Sequence, residues 1–165
     1  MNQSDIYKII FNRNQNALMN AVDGLTQSHS LLQLPGDSNC MNWILGHIAV
    51  YRDGLLMDAG LDEHMLKDEV EIYGPGSDAI DVGSTCVEFD RLVELIELSY
   101  ATLDHWLSSK PDSFDNKVDK DVKYRKGYGA YWDTINEHIS QMIAHESMHV
   151  GELSALRELA LISKI

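Results

Sequence analysis

The residues best suited to chemistry lie near the C-terminus, in the segment HESMHVGE at positions 145–152. Its first five residues match H-E-x-x-H, a pattern in which two histidines one helical turn apart bind zinc beside a glutamate base. His145 and His149 are therefore candidate metal ligands, and Glu146 is a candidate proton acceptor. Because catalytic zinc sites use three protein ligands, the function depends on where a third ligand comes from.

These residues fall on a helix predicted at about positions 132–161, the longest helix in the chain. At about 100° per residue, one narrow face of that helix carries His138, Met142, His145, His149, Glu152 and Leu156. The alternating spacing of three and four is that of a face that packs into a helix-bundle core. Histidines at such positions need partners, because an unpaired imidazole in an apolar core is costly.

A third inward histidine, His47, is predicted on an earlier helix at about positions 39–60. It shares a face with Cys40, Trp43, Ile44, Tyr51 and Gly54. A metal ion shared between the two helices gives each imidazole a strong partner, while the second ring nitrogen bonds to a carbonyl or carboxylate. The alternative is that these histidines are core or surface residues satisfied by ordinary hydrogen bonds.

Other polar residues near the three histidines each have more than one interpretation. His138 lies seven residues before His145, about 10 Å along the helix axis, so it lines the pocket, supports a ligand or makes an ordinary interhelical hydrogen bond. Tyr51, one turn beyond His47, is a hydrogen-bond donor of the pocket or a core residue. Glu152 either lines the pocket or ligates the ion and closes the site. Glu146 is otherwise a solvent-facing or interfacial carboxylate.

The sequence disfavours a zinc peptidase. The extended metzincin pattern requires glycine at position 152 and histidine at position 155, where this chain has Glu152 and Ala155. The downstream carboxylates Glu152 and Glu158 belong to the same helix as the histidine pair. No sheet is predicted along whose edge a peptide substrate could lie.

Four segments with helical periodicity predict an all-α fold, a four-helix bundle formed by one domain over residues 1–165. They lie at about 4–25, 39–60, 84–107 and 132–161. Ser4 or Asp5 is the expected N-cap of the first helix, and Asp37 or Ser38 that of the second, which ends at Gly60.

The connections between the second and third helices and between the third and fourth are long and lack a sustained period. Val118, Val122 and Tyr124 are expected to form short extended pieces in the second of them.

Charge and composition exclude several functional classes. The net charge of −13, from 26 acidic and 13 basic residues, opposes binding to a nucleic-acid backbone. No apolar run approaches the roughly 20 residues that span a bilayer, and the N-terminus does not have the pattern of a signal peptide. With only Cys40 and Cys86, no disulfide framework is indicated, and the expected location is the cytoplasm.

Three segments resemble the DinB-like (DinB/YfiT) superfamily of metalloenzymes. They are Asn42–His47 (NWILGH), Tyr73–Ser77 (YGPGS) and His145–Glu152 (HESMHVGE), and Arg157 on the following turn also fits. The segments have the expected order, and the resemblance covers nearly the whole chain.

The resemblance implies a four-helix bundle, often dimeric, that holds one divalent metal ion at one end through His47, His145 and His149. Family members often carry glutamine where this chain has Glu152, so a more negative pocket is expected here. Characterised members include transferases and isomerases that use low-molecular-weight thiols. The implied function is thus a thiol-dependent transferase or a hydrolase that acts on a small molecule.

Three points stay open from the residues alone. The competing functional class is a non-catalytic bundle that a metal ion staples together or that binds no metal. Three imidazoles do not distinguish zinc, nickel, cobalt and iron. A homodimer is expected from the resemblance and from the flanking apolar residues Leu56, Met57 and Val150, which the helical pattern places towards the surface.

Overall fold

Helices form the regular structure of the chain in a computed structural model, which describes residues 2–36, 38–81, 83–118 and 132–163. The described α-helices are α1 (Gln3–Val22), α2 (Gln27–Ser30), α3 (Met41–Asp58), α4 (Lys67–Tyr73), α5 (Phe89–Ser108) and α6 (Ile135–Ile162). A 3-10 turn covers Ser113–Asp115. Over these ranges no β-strand is formed, which confirms the predicted all-α class.

The four long helices α1, α3, α5 and α6 build the core. Helix α3 packs against α5 and α6, and α1 packs against the same two helices from the other side. Each long helix thus has two long neighbours, and the short helices α2 and α4 lie against α3. No helix in the described ranges is long and apolar enough to cross a membrane.

Helix α3 is buried on all sides over its first ten residues, Met41–Val50. These residues are mostly apolar, and α2, α4, α5 and α6 surround them. A helix that is hydrophobic all round belongs to the interior rather than to the surface. The expectation that the flanking Leu56 lies near the surface is wrong, because this side chain is fully buried.

Three helices begin at residues other than the predicted ones, and capping boxes mark two of these starts. Asn2 caps α1, and Asp5 is its capping-box partner, so neither Ser4 nor Asp5 is the N-cap. Helix α5 begins at Phe89, five residues later than expected. A capping box at Thr134, with Glu137 as the third helical residue, begins α6.

The N-cap of helix α3 is Cys40 rather than the predicted Ser38. The Ser38 hydroxyl donates instead to the carbonyl of Leu34. Asp37, the other predicted N-cap, is outside the described residues. Gly60 follows the last turn with φ of 75°, which confirms its prediction as the residue that ends the helix.

The first long connection contains α4, a helix that the periodicity did not indicate. Seven residues are too few for a clear repeat, and α4 is held by tertiary contacts of the buried Glu69 and Tyr73. In the second long connection, Val118 donates its N–H to the carbonyl of Asp133 beside an isolated bridge between Lys117 and Thr134. Val122 and Tyr124 lie outside the described residues.

A fully buried ion pair joins α3 to α6. Arg52 Nε donates to Glu146 Oε2 at 2.8 Å, and both side chains are 0% exposed. Arg52 also donates to Gln15 on α1 and to the carbonyl of Ile96 on α5, at 2.9 and 2.8 Å. One guanidinium thus bonds to all three long helices that surround it, because a buried charge requires several partners.

We expect Arg52→Met to lower the free energy of unfolding by about 3–5 kcal/mol, because it leaves the Glu146 carboxylate buried and unpaired. Urea denaturation monitored by circular dichroism measures the loss. The matched control is Lys67→Met, which removes an exposed pair with Glu71 at 3.9 Å and should change stability by less than about 0.5 kcal/mol. Equal effects of the two substitutions would contradict the structural role of the buried pair.

Candidate metal centre

Three imidazoles from two helices converge in the interior. His47 comes from α3, His145 and His149 come from α6, and one nitrogen from each lies within 4.8 Å of the other two. His47 and His149 are 6% and 7% exposed, and His145 is partly buried. The helical periodicity of the sequence predicts that all three side chains point inward, and in the structure their ring nitrogens lie close together.

His149 is held in one tautomer by a carboxylate on its own helix. Its Nδ1 donates to Glu152 Oε2 at 2.5 Å, so its Nε2 carries the lone pair. That Nε2 lies 3.2 Å from Nε2 of His145. A carboxylate that accepts from a ligating histidine is a common support of metal ligands, since it fixes the ring and raises its basicity.

His47 is held in the same tautomer by a backbone carbonyl. Its Nδ1 donates to the carbonyl oxygen of Tyr73 at 2.9 Å, and because a carbonyl only accepts, the lone pair is on Nε2. The ring of Trp43 stacks on His47 with centroids 4.3 Å apart. The hydrogen bond to Tyr73 and the stacking on Trp43 therefore both restrain the orientation of the His47 ring.

His145 is restrained by stacking rather than by a second hydrogen bond. Its ring stacks on that of Tyr51, with centroids 4.0 Å apart and an interplanar angle of 27°. The Nδ1 atom is buried and has no hydrogen-bond partner among the described residues. Tyr51 also contacts His47 edge-on at 4.8 Å, so it forms an aromatic wall beside two of the three imidazoles.

The spacing of one nitrogen pair and the protonation state of two rings fit a divalent metal ion. Two nitrogens that bind one tetrahedral zinc ion at about 2.0–2.1 Å lie roughly 3.3 Å apart, close to the 3.2 Å between His145 and His149. Burial lowers the pKa of His47 from 6.5 to about 4 and that of His145 to about 3. Both rings are neutral at pH 7, the state in which imidazole binds metals.

Glu146 is occupied elsewhere, although it lies between the two histidines in sequence. It is fully buried in the ion pair with Arg52, which argues against a role as proton acceptor for a bound substrate. The alternative prediction of a solvent-facing carboxylate is wrong, because the side chain is 0% exposed; Glu146 lies instead between α6 and α3.

His138 also lies apart from the cluster. Its Nδ1 is 2.6 Å from Oδ2 of Asp58 on α3, and its ring stacks on Trp132 at 4.1 Å. These contacts are those of an interhelical hydrogen bond rather than of a residue that supports the three ligands.

Sequence reasoning missed two supports of the cluster, Trp43 and Tyr73. Trp43 had a usable signal, since it lies one turn before His47 on the same helical face. Tyr73 belongs to the YGPGS segment that carries the resemblance, but its residue type does not predict this contact, because it contributes a backbone carbonyl from 26 residues away.

Comparisons with known proteins agree with the fold, and the matched family region includes the cluster. A family model described as the DinB superfamily matches residues 10–153, which include all three histidines. A crystal structure of a conserved protein from Enterococcus faecalis superposes with a TM-score of 0.68, at 14% identity and over 99% of each chain. At that identity the likeness shows the fold alone. No curated protein sequence matches.

We expect the metal-free protein to lose stability as the pH falls below 6.5. The unfolded chain binds protons on His47 and His145 near pH 6.5, whereas burial lowers the pKa of these groups in the folded protein to about 4 and 3. The contribution of these two neutral rings to the free energy of unfolding is complete above pH 6.5 and is lost as the pH falls towards 4. For His47 alone the loss is roughly 3 kcal/mol, since each pKa unit is worth about 1.4 kcal/mol.

Urea unfolding of chelator-treated protein between pH 7.5 and 4 tests this expectation. His47→Gln should flatten the pH dependence relative to wild type, whereas the same change at the exposed His105 should leave it unaltered. An unchanged slope in His47→Gln would show that this ring is not buried in its neutral form.

Proposed function

The chain belongs to the DinB superfamily, and from that premise we propose that His47, His145 and His149 hold one divalent transition-metal ion at a site that binds a small molecule. The convergence of three imidazole nitrogens within 4.8 Å carries the proposal. Two of the three rings are also held with Nδ1 protonated, so their Nε2 lone pairs remain available. We further propose that the four long helices form a four-helix bundle, since each packs against two of the others.

Three neutral nitrogen donors suit zinc, nickel, cobalt or iron, and the ligand set does not choose among them. When bound, such an ion supplies Lewis-acid activation of a water molecule or a thiol near neutral pH. This chemistry supports a transferase that uses a low-molecular-weight thiol or a hydrolase, as the sequence resemblance implies.

The protein's own residues position the ligands and limit access of water. Glu152 orients His149, and the Tyr73 carbonyl orients His47. Trp43 and Tyr51 cover faces of the imidazoles with aromatic surface. Aromatic surroundings that exclude water lower the local dielectric constant, and this strengthens electrostatic interactions at the centre.

We propose that the site keeps an open position, because the other donors considered from sequence are engaged or distant. Glu152 accepts from His149 Nδ1, and His138 bonds to Asp58. Cys40 is buried at the start of α3, seven residues before His47. Three protein ligands and an exchangeable position distinguish a catalytic metal site from a closed structural one.

For partners, we propose a homodimer and a small-molecule substrate, and no nucleic acid. Helix α6 exposes Met148, Leu161 and Ile162 by 59%, 59% and 77%, and an isologous interface would cover such residues. Light scattering at micromolar concentration tests the dimer, and a purely monomeric protein would refute it. The net charge of −13 opposes contact with a phosphate backbone, which supports the exclusion of nucleic acid.

We expect protein purified without a histidine tag and loaded with zinc or cobalt to retain about one ion per chain. His47→Ala should abolish retention, because it removes the only ligand proposed on α3. Elemental analysis after gel filtration measures the stoichiometry. The control is His105→Ala, which changes an exposed histidine on α5 and should retain the ion. Equal metal content in both variants would reject the proposed ligands.

We expect the cobalt-loaded protein to change its visible spectrum when azide or a small thiol is added, because an exchangeable position admits the added ligand. If the spectrum is inert in wild type but responds in Glu152→Gln, then Glu152 closes the site. That outcome would favour the competing function, in which the metal ion staples α3 to α6 without catalysis.

A further inference from the structure

The hydrogen bond between His47 and Tyr73 links the cluster to the end of α4. Tyr73 is the last residue of α4, and the last carbonyls of a helix have no partner within it. One of these carbonyls accepts from His47 Nδ1 at 2.9 Å. The C-terminus of a short helix therefore selects the tautomer of His47 in which Nε2 is unprotonated.

The side chain of Tyr73 anchors that carbonyl. Its ring is 0% exposed, and its hydroxyl donates to Asn42 Oδ1 and accepts from the N–H of Val87, both at 2.8 Å. Asn42 Nδ2 in turn donates to the carbonyl of Val87 at 2.9 Å. The hydroxyl thus ties together the start of α3, the end of α4 and the segment that leads into α5.

Gly46 allows the ring of Tyr73 to lie against α3. A Cβ atom at position 46 would lie 2.3 Å from Cδ1 and Cγ of Tyr73 and 2.6 Å from Cδ2. Real Cβ atoms essentially never make contacts below 3.0 Å. Gly46 directly precedes His47, so the close approach occurs next to the ligand itself. Any larger residue there must displace the Tyr73 ring, and we expect the displaced ring to shift the carbonyl of the same residue.

We propose that Tyr73, seated on Gly46 and anchored by Asn42, is a positioning residue for metal binding that fixes His47 with Nδ1 protonated and Nε2 free to ligate. The inference rests on the proposed metal site and adds to it a support that comes from α4. Tyr73 acts through His47 and has no contact with a reacting group. Outer supports of ligating histidines typically contribute 10–100-fold to metal affinity.

The first measurement needs no variant. Long-range ¹⁵N NMR of the histidine rings in metal-free wild type at pH 7.5 should show His47 protonated at Nδ1. The second compares Zn²⁺ affinity, by competition with a chromophoric chelator, in wild type, Gly46→Ala and Tyr73→Phe. We expect both variants to bind Zn²⁺ about 10–100-fold more weakly and to show mixed His47 tautomers.

Gly151→Ala is the matched control, because it makes the same change on α6, two residues from His149, where a Cβ atom meets nothing within 4 Å. It should bind Zn²⁺ as wild type does. If Gly46→Ala does not fold, Tyr73→Phe still tests whether Tyr73 positions His47, since this substitution adds no atoms and removes only the anchoring hydroxyl.

The outcomes separate this inference from the proposed function. Folded Gly46→Ala or Tyr73→Phe with wild-type Zn²⁺ affinity and an unchanged His47 tautomer would overturn the positioning role, even if the Tm falls. If wild type binds neither Zn²⁺ nor Co²⁺, Ni²⁺ or Fe²⁺, the proposed function fails, and the NMR measurement still decides the tautomer. Protonation of His47 at Nε2 in wild type would overturn the inference in either case.

Discussion

Burial of imidazole in a helical core is the constraint on which the rest of this structure depends. An unpaired ring nitrogen is costly there, and His47 and His149 are each almost fully buried. The protein satisfies one nitrogen of each ring with an acceptor, the Tyr73 carbonyl for one and the Glu152 carboxylate for the other. The remaining nitrogens converge with one from His145. Such half-satisfied rings are what a metal site requires, because each keeps one lone pair for the ion.

The same two helices that supply the ligands are joined by the Arg52–Glu146 ion pair. Neighbouring residues on a helix point about 100° apart, so α6 presents His145 towards the cluster and Glu146 towards Arg52. The guanidinium is a planar group with fixed donor directions, and it bonds to α1 and α5 as well. The pair therefore fixes how α3 and α6 lie against each other. In this chain the glutamate of H-E-x-x-H supports the arrangement of the helices that carry the histidines.

Helical periodicity predicts the fold class and the inward histidines, but it does not predict the short helix α4 or the contacts that support the cluster. Periodicity predicts the all-α class and the inward direction of His47, His145 and His149, because burial of an apolar face depends on residues that are close in sequence. It does not predict α4, which is too short to show a repeat. Nor does it decide the direction of Glu146, because a carboxylate between two inward histidines can turn to either side. The Tyr73 carbonyl is beyond sequence patterns altogether, since every residue has one.

The three histidines differ in how firmly they are held, and this difference bears on which metal ions the proposed site would accept. His47 bonds to a carbonyl that can move only if the buried Tyr73 moves. His149 bonds to Glu152, whose side chain is 49% exposed and can turn on its own. His145 is stacked on Tyr51 but has no partner at Nδ1 among the described residues. The α3 side of the centre is therefore fixed and the α6 side adaptable. If the three histidines bind a metal ion as proposed, two adjustable ligands would not impose one coordination geometry. Ligand type and metal supply would then decide which metal ion is bound, and three imidazoles suit several divalent ions.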